Sequence, residues 1–330
     1  MTGKYRIFGS EMSPYSVKVR SYFRYKDIPH EWISRRPAVE EEYRKYAKLP
    51  IIPTVATPDN EGIQDSTPII ERIEGECPTP GIHPADPMLT FLSCLIEEFG
   101  DEWGNKLMFH HRWWDEVDKR ASARTIARLL HPDGTDEEVE STYRLVLQRM
   151  SGRGGFVGSS AATAPLITEY FVELLDLLEA HLTDRRYLFG GRPAFGDFGL
   201  FAQVYEASVD PTCGSIIRAR GPHVLDWCFR MIEPRGDGTF ESWSTLKPTM
   251  EPLLRYIGRY FLPWTTANAE ALKSGQNEFS VTLSGKTYTQ APQRYHAKSL
   301  QALKEKFKPI AEHQALISIL RDAECLNWLI

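Results

Sequence analysis

Residues 51–70 run Ile51-Ile52-Pro53-Thr54-Val55-Ala56-Thr57-Pro58-Asp59-Asn60-Glu61-Gly62-Ile63-Gln64-Asp65-Ser66-Thr67-Pro68-Ile69-Ile70. Ile51–Ala56 is a β-prone run interrupted by proline, Asp59-Asn60-Glu61-Gly62 is a turn, and Ile63-Gln64 returns as a short strand. Asp65-Ser66 then opens a helical pattern over 67–74. Proline cannot donate to a ladder, so Pro53 belongs at a strand edge or follows a cis bond. A cis bond there turns the Ile52 backbone outward, where it can pair with an extended peptide. At the next helix start, free amides and the Ser66 hydroxyl can hold a carboxylate, and Asp65 can pair with an ammonium group. Taken singly, Pro53 is a strand terminator and Asp65-Ser66 a cap.

Upstream, Tyr5-Arg6-Ile7-Phe8 is a short strand that stops at Gly9-Ser10. Met12-Ser13-Pro14-Tyr15-Ser16 turns the chain into a helix, with Ser13 as N-cap and Pro14 as first helical residue. Tyr15, Val19, Tyr22, Phe23 and Lys26 then recur at helical spacing. A helix start with a hydroxyl beside it favours an anion such as a thiolate, and helix N-termini lower a thiol's pKa from its usual value near ~8.5. Glu31-Trp32-Ile33 continues as a second strand and 38–48 as a charged helix. Strand, helix, strand, helix, hairpin and helix make a small α/β unit ending near Glu74.

Pro78, Pro80, Pro84 and Pro87 mark 75–87 as a linker. Beyond it the pattern turns helical, clearest over 88–115, 116–130, 164–182, 197–208 and 221–232. Between these, 131–163 carries Gly152, Gly154, Gly155 and Gly158 and is expected to be a loop-rich insertion. Phe279–Leu283, Ser284-Gly285 and Lys286–Tyr288 form a hairpin with a two-residue turn, followed by helices over 297–308 and 312–322.

At 330 residues, 42% apolar and 25% charged, the chain has the size and composition of a two-domain globular protein. The net charge of −5, with scattered basic residues, argues against a nucleic-acid partner. No apolar run approaches the ~20 residues that cross a bilayer, and Met1–Arg6 leads into a strand without a signal-peptide core, so no membrane association and a cytoplasmic location are expected. Cys77, Cys94, Cys213, Cys228 and Cys325 contain no C-x-x-C pair and fit reduced structural thiols rather than a disulfide framework or a metal site. The adjacent His110-His111 lack the i, i+3 or i+4 spacing of helical metal ligands. Gly152-Arg153-Gly154-Gly155 follows no strand and lacks the lysine of a phosphate loop. The aromatic residues Tyr256, Tyr260, Phe261 and Trp264 are expected in a core or a lid.

The order and spacing of these features resemble the cytosolic glutathione transferases. Residues 5–74 resemble their thioredoxin-like N-terminal domain: S-P-Y-S stands in place of the C-P-F/Y motif of omega-class and glutaredoxin-like members, I-I-P-T-V resembles the V-P-x-L strand, and D-S-T-P-I-I resembles E-S-x-A-I. Tyr187–Asp197 resembles the F-L-x-G-x-x-P-S/T-x-A-D stretch of the helical domain, with Ala194 where a capping hydroxyl is expected and Asp197 retained in a structural role.

The resemblance implies a thioredoxin-like domain (1–76), a linker (77–87) and an all-α domain (88–330), with the insertion near 131–163 and an extension beyond about 235 that holds the hairpin. It implies that Ser13 meets the glutathione sulfur, that Ile52 pairs through its backbone beside Pro53, that Asp65 and Ser66 hold the γ-glutamyl end, and that Arg36 lies near the glycyl end. Glutathione would be co-substrate, with no metal, a small hydrophobic electrophile as second substrate, and a homodimer as the assembly. Trp103, Met108, His110 and His111, on the first long helix of the second domain, are the candidates for the electrophile pocket, with Arg112 as an alternative polar handle; the alternative is a core helix plus a dimer surface. A serine at position 13 disfavours disulfide chemistry. A glutathione-dependent lyase or ether-cleaving enzyme, or an inactive scaffold of the same fold, are the rival readings.

Overall fold

A computed structural model describes residues 3–236 and 238–330. The first unit comprises β1 (Tyr5–Gly9), α1 (Pro14–Tyr25), β2 (His30–Ser34), α2 (Glu40–Arg44), β3 (Thr54–Ala56), β4 (Gly62–Gln64) and α3 (Ser66–Glu76). The four strands form one sheet in the order β2-β1-β3-β4, with β1 and β2 parallel and the other pairs antiparallel. The strand expected over 51–56 begins only at Thr54, after a cis Ile52-Pro53 bond, and the helix expected over 38–48 shrinks to a 3₁₀ turn at Pro37–Val39 plus α2. A Cβ on Gly9 would sit 2.5 Å from the Trp32 ring and 2.9 Å from Ser16, so only glycine lets β1 run directly into the turn before α1.

The helical unit follows with α4 (Pro87–Phe99), a π-helical turn at Gly100–Gly104, α5 (Asn105–Trp114), α6 (Glu116–Leu130), α7 (Asp136–Ser151), α8 (Ala164–Leu182), α9 (Phe195–Val209), α10 (Pro211–Arg220) and α11 (Pro222–Ile232). Then come α12 (Trp243–Tyr256), α13 (Leu262–Lys273), the hairpin β5 (Phe279–Leu283) and β6 (Lys286–Gln290), α14 (Arg294–Phe307), α15 (Gln314–Asp322) and α16 (Leu326–Leu329).

The loop-rich insertion expected over 131–163 is corrected: α7 fills half of it. Thr135 accepts the Glu138 N–H, and the Glu138 carboxylate accepts the Thr135 N–H, a reciprocal cap that starts the helix. The glycines lie after that helix, around a 3₁₀ turn at Gly154–Val157. Helices α10, α12, α13 and α16 were not anticipated; α12 contains Pro248 and Pro252 in its interior, which ordinarily argue against a helix.

Helix α9 is central, packed by α1, α4, α5, α10 and α11. A Cβ on Gly100 would lie 2.6 Å from the Leu200 backbone, so the helices there meet main chain to main chain. One core runs through both units, joined for example by the edge-on contact of Tyr22 with Phe198 at 5.6 Å. Asp197 is buried and accepts the N–H of Leu188 and Ala194 and the Trp227 Nε1–H, at 2.8, 2.9 and 2.9 Å. It thereby supplies the acidic half of a cap without the hydroxyl half that Ala194 lacks. Tyr256, Tyr260, Phe261 and Trp264 are all buried in the core.

Candidate thiol-binding cleft

A cleft of about 590 Å³ opens between the two units. Its floor is the β1–α1 turn, Gly9 to Ser13; one side is Ser34, Arg35, Arg36, Pro37, Glu40 and Arg44; Ile52 forms the opposite lip. Ile126, Leu129 and Leu130 of α6 close the far wall with apolar surface.

Ser13 is both cap and cleft residue. Its Oγ accepts the Ser16 N–H at 3.3 Å, which uses the oxygen as acceptor and leaves the hydroxyl proton available to the cleft. Ile52 lies across from it. Tyr43 and Thr54 take up the neighbouring Ile51 carbonyl, and among the described residues no hydrogen bond engages the Ile52 N–H or C=O. The Ile52 backbone is therefore free to pair with an extended partner or with water.

The charged side is only partly neutralised. Glu40 receives Arg35 at 3.1 Å and Arg44 at 2.9 Å, while among the described residues Arg36 has only Asp133 at 4.0 Å. Glu11 is spoken for by a forked pair with Arg20, which stacks over Trp32 at 4.2 Å. The balance leaves positive charge at the Arg36 end, suited to a carboxylate.

Asp65 and Ser66 are not among the residues that line this cleft; Ser66 lies against Lys18 of α1. Ser66 is fully buried, and its hydroxyl donates to Asp101 at 3.3 Å. Lys18 sits beneath it, 2.5 Å from Glu97 and 2.6 Å from Asp101, and also donates to Thr67 at 3.0 Å. Burial opposes the Lys18 charge, but Asp101 and Glu97 outweigh it and hold the ammonium above its usual range. Burial pushes the Asp101 carboxyl up to about 7 against the pull of Lys18. The expectation that the Ser66 hydroxyl meets a ligand is therefore corrected, although the free amides of the first turn of α3 remain. Asp65 occupies the cap position with φ of +75° but makes no side-chain cap bond. Its carboxylate accepts instead from the Tyr295 hydroxyl at 2.8 Å.

The four residues expected to hold an electrophile are not on the cleft either. Trp103 is completely buried against Tyr170, Trp264 and Tyr288 and donates to the Tyr256 hydroxyl at 3.1 Å. Met108 is core. His110 Nδ1 meets Ser159 Oγ at 2.8 Å and the ring stacks on Trp114, while His111 Nδ1 bonds the Leu107 carbonyl at 2.8 Å. Burial drives the His110 pKa down to about 3, so it is a neutral packing group. Arg112 is likewise buried, between Glu206 at 2.7 Å and Asp210 at 2.8 Å. The apolar wall is α6 instead, whose half-buried Ile126, Leu129 and Leu130 at i, i+3 and i+4 were the signal to follow.

Among the described residues no group of three or more His, Cys, Asp or Glu is placed to hold a metal ion, and no helix is long and apolar enough to cross a membrane. All five cysteines are free.

The family models agree with this architecture. Residues 7–81 match the glutathione S-transferase N-terminal domain and residues 136–228 the glutathione S-transferase C-terminal domain, together just over half of the chain. The chain belongs to the cytosolic glutathione transferase superfamily. The match over 136–228 takes in α7. No curated protein matches the chain. Among solved structures it is similar to the beta-etherase LigF from Sphingobium sp. strain SYK-6, at 18% identity over 76% of this chain and 99% of that one, with a TM-score of 0.50. It is also similar to a glutathione S-transferase from Rhodospirillum rubrum F11, at 17% identity over 76% and 91% with a TM-score of 0.45, and to the Tau class glutathione S-transferase of mango, at 16% over 77% and 100% with a TM-score of 0.44.

Proposed function

We propose that this glutathione transferase relative is an active, serine-type enzyme that ionises glutathione in the cleft and adds its sulfur to a small hydrophobic electrophile. The observation that carries the reading is the Ser13 hydroxyl: its oxygen accepts the Ser16 N–H, it donates to no acceptor among the described residues, and the unpaired backbone of Ile52 also lines the cleft. Extended along that lip, glutathione would place its sulfur at Ser13 and its glycyl carboxylate toward Arg36. Its γ-glutamyl end would reach beyond the lining of the cleft to the start of α3, with its carboxylate toward the first-turn amides and its ammonium toward Asp65.

The thiol proton leaves to solvent, and the thiolate is stabilised by the Ser13 O–H and the start of α1. The sulfur then uses its electron pair to form a C–S bond with a carbon held against Ile126, Leu129 and Leu130, and any leaving group departs with the electrons of the bond that breaks. Proximity and thiol activation supply the rate without a covalent enzyme intermediate. Cleavage of an ether by the same attack uses the same residues with an alkoxide or phenoxide leaving.

Calorimetric titration with reduced glutathione tests this, comparing the wild type with Ser13→Ala. Both proteins are expected to bind, with the bound thiol ionising below ~8.5 only in the wild type and turnover of a reactive aryl electrophile falling on the order of 10²-fold in Ser13→Ala. Absence of saturable binding at millimolar glutathione would sink the reading.

A further inference from the structure

The C-terminal extension returns to the first unit at helix α3, through Lys306 on Glu71 and through Tyr295 on Asp65 at its start. Helix α14 lies along α4, with Phe307 against Phe91 at a ring separation of 5.3 Å and Lys306 paired to Glu71 of α3 at 2.5 Å. Its opposite end is pinned as firmly. Asn268 of α13 holds the Gln293 N–H and C=O at 2.7 and 3.0 Å, and His296 pairs with Glu102. Between these fixed points Tyr295 presents its hydroxyl to Asp65 Oδ2 at 2.8 Å.

A carboxylate at a helix start ordinarily bends back to cap the first-turn amides, which is the commonest use of Asp there. Asp65 does not; it holds a positive φ and gives one oxygen to a tyrosine 230 residues away. The consequence is chemical. With Oδ2 held by a neutral donor, Oδ1 has no hydrogen-bond partner among the described residues, and the first-turn amides of α3 stay free of a side-chain cap. A cation beside a carboxylate receptor is what those groups fit; the neighbouring buried acids Asp101 and Glu102 are already engaged by Lys18 and His296. Partial burial and the nearby Asp65 and Glu102 carboxylates push the Tyr295 phenol up, so it stays a donor.

We propose that Tyr295 is a positioning residue of the thiol site, supplied by the C-terminal extension: it orients Asp65 to receive the ammonium group of the thiol substrate. The proposal rests on the glutathione reading above and goes beyond it, because residue 295 lies outside both stretches matched by the family models. The extension thus takes part in selecting the substrate.

The test compares glutathione with N-acetylglutathione, which keeps the sulfur and the glycyl carboxylate but has lost the ammonium. Dissociation constants for both are measured on wild type, Asp65→Asn and Tyr295→Phe; Tyr295 is 51% exposed, so the phenylalanine variant keeps its packing. The wild type is expected to prefer glutathione, Asp65→Asn to lose that preference, and Tyr295→Phe to reduce it about fivefold, as for one hydrogen bond. The N-acetylglutathione constant, for a ligand without the ammonium, should be unchanged by Tyr295→Phe. A preference intact in Tyr295→Phe but lost in Asp65→Asn would overturn the role of the tyrosine and leave the glutathione reading standing. Tighter glutathione binding in Tyr295→Phe would also overturn it, making the ring a plug. A wild type that does not bind glutathione, or does not prefer it, would take the underlying reading down as well.

Discussion

The lip of the cleft, residues 9–13 with Ile52, and helix α5, residues 105–114, are both rich in groups that bind and transfer protons, yet the fold treats them oppositely. On α5 each polar side chain has found a partner. Lys106 donates to the Val157 carbonyl at 2.6 Å and to Gln290, among the rings of Trp103, Trp264 and Tyr288. His110 has Ser159, His111 has the Leu107 carbonyl, and Arg112 has two carboxylates. At the lip, a hydroxyl proton and the backbone of Ile52 are left without one. Residue type is the same kind of evidence in both places; the accounting of donors and acceptors separates binding surface from core.

Arg112 is where the two regions touch, because its Nη1 also donates to the Met12 carbonyl at 3.1 Å, one residue before Ser13. Arg112→Met is therefore the harshest way to break the comparison. It leaves Glu206 and Asp210 buried without their cation, and burial has already pushed Glu206 up to about 7 against that cation's attraction. A loss of about 3–5 kcal/mol of folding stability is expected in denaturant titration. Unchanged stability with lost turnover would instead place α5 in the site.

That contrast also explains what was legible beforehand. Ser13-Pro14, Ile52-Pro53 and Asp65-Ser66 are local signals whose physics, a cap, a missing N–H and a helix start, is carried by two residues each, and all three landed at element boundaries. The hairpin turn at Ser284-Gly285 was legible for the same reason, with φ of +47° and +80°. Partnership is not local. Nothing near His110 in the chain reveals that Ser159 will meet it, nothing near Asp65 announces Tyr295, and an apolar stripe on α6 looks the same whether it faces a core or a cleft. Helix α7 was hidden by the glycines that follow it, though Thr135-x-x-Glu138 was there to be used. Helix α12 was hidden by Pro248 and Pro252, whose cost is offset by the burial of Leu246, Met250, Leu253, Leu254 and Tyr256.

A milder probe sharpens the claim that α5 is core. His110 is neutral in the folded protein, its pKa lowered to about 3 first by burial and then by His111 and Lys106. The unfolded chain takes up a proton near ~6.5. A base lowered on folding binds fewer protons when native, so its contribution to stability is whole above ~6.5 and shrinks as pH falls toward the folded value. The stability difference between wild type and His110→Gln, measured by thermal unfolding, should accordingly favour the wild type most at pH 7.5. It should decline below pH 6.5, by at most ~1.4 kcal/mol per pH unit. A pH-independent difference would mean that His110 is solvated, and so closer to a site than the core assignment allows.

The smallest expected effect tests the other half of the comparison, the apolar wall. Leu129 sits half-buried on α6 with its side chain on the cleft and no place in the main core. Leu129→Val removes one methylene from that wall, and because the surface is already open, little cavity penalty adds to the transfer term. The cost then falls on the second substrate and not on folding: about 0.8 kcal/mol per methylene, or roughly a fourfold rise in KM for a hydrophobic electrophile. The constant for glutathione, whose proposed contacts lie away from α6, should stay the same. A rise in both constants would mean that α6 moves with the β1–α1 turn as one body. A rise in neither would return the electrophile to some other surface, and the wall formed by Ile126, Leu129 and Leu130 would lose its claim to it.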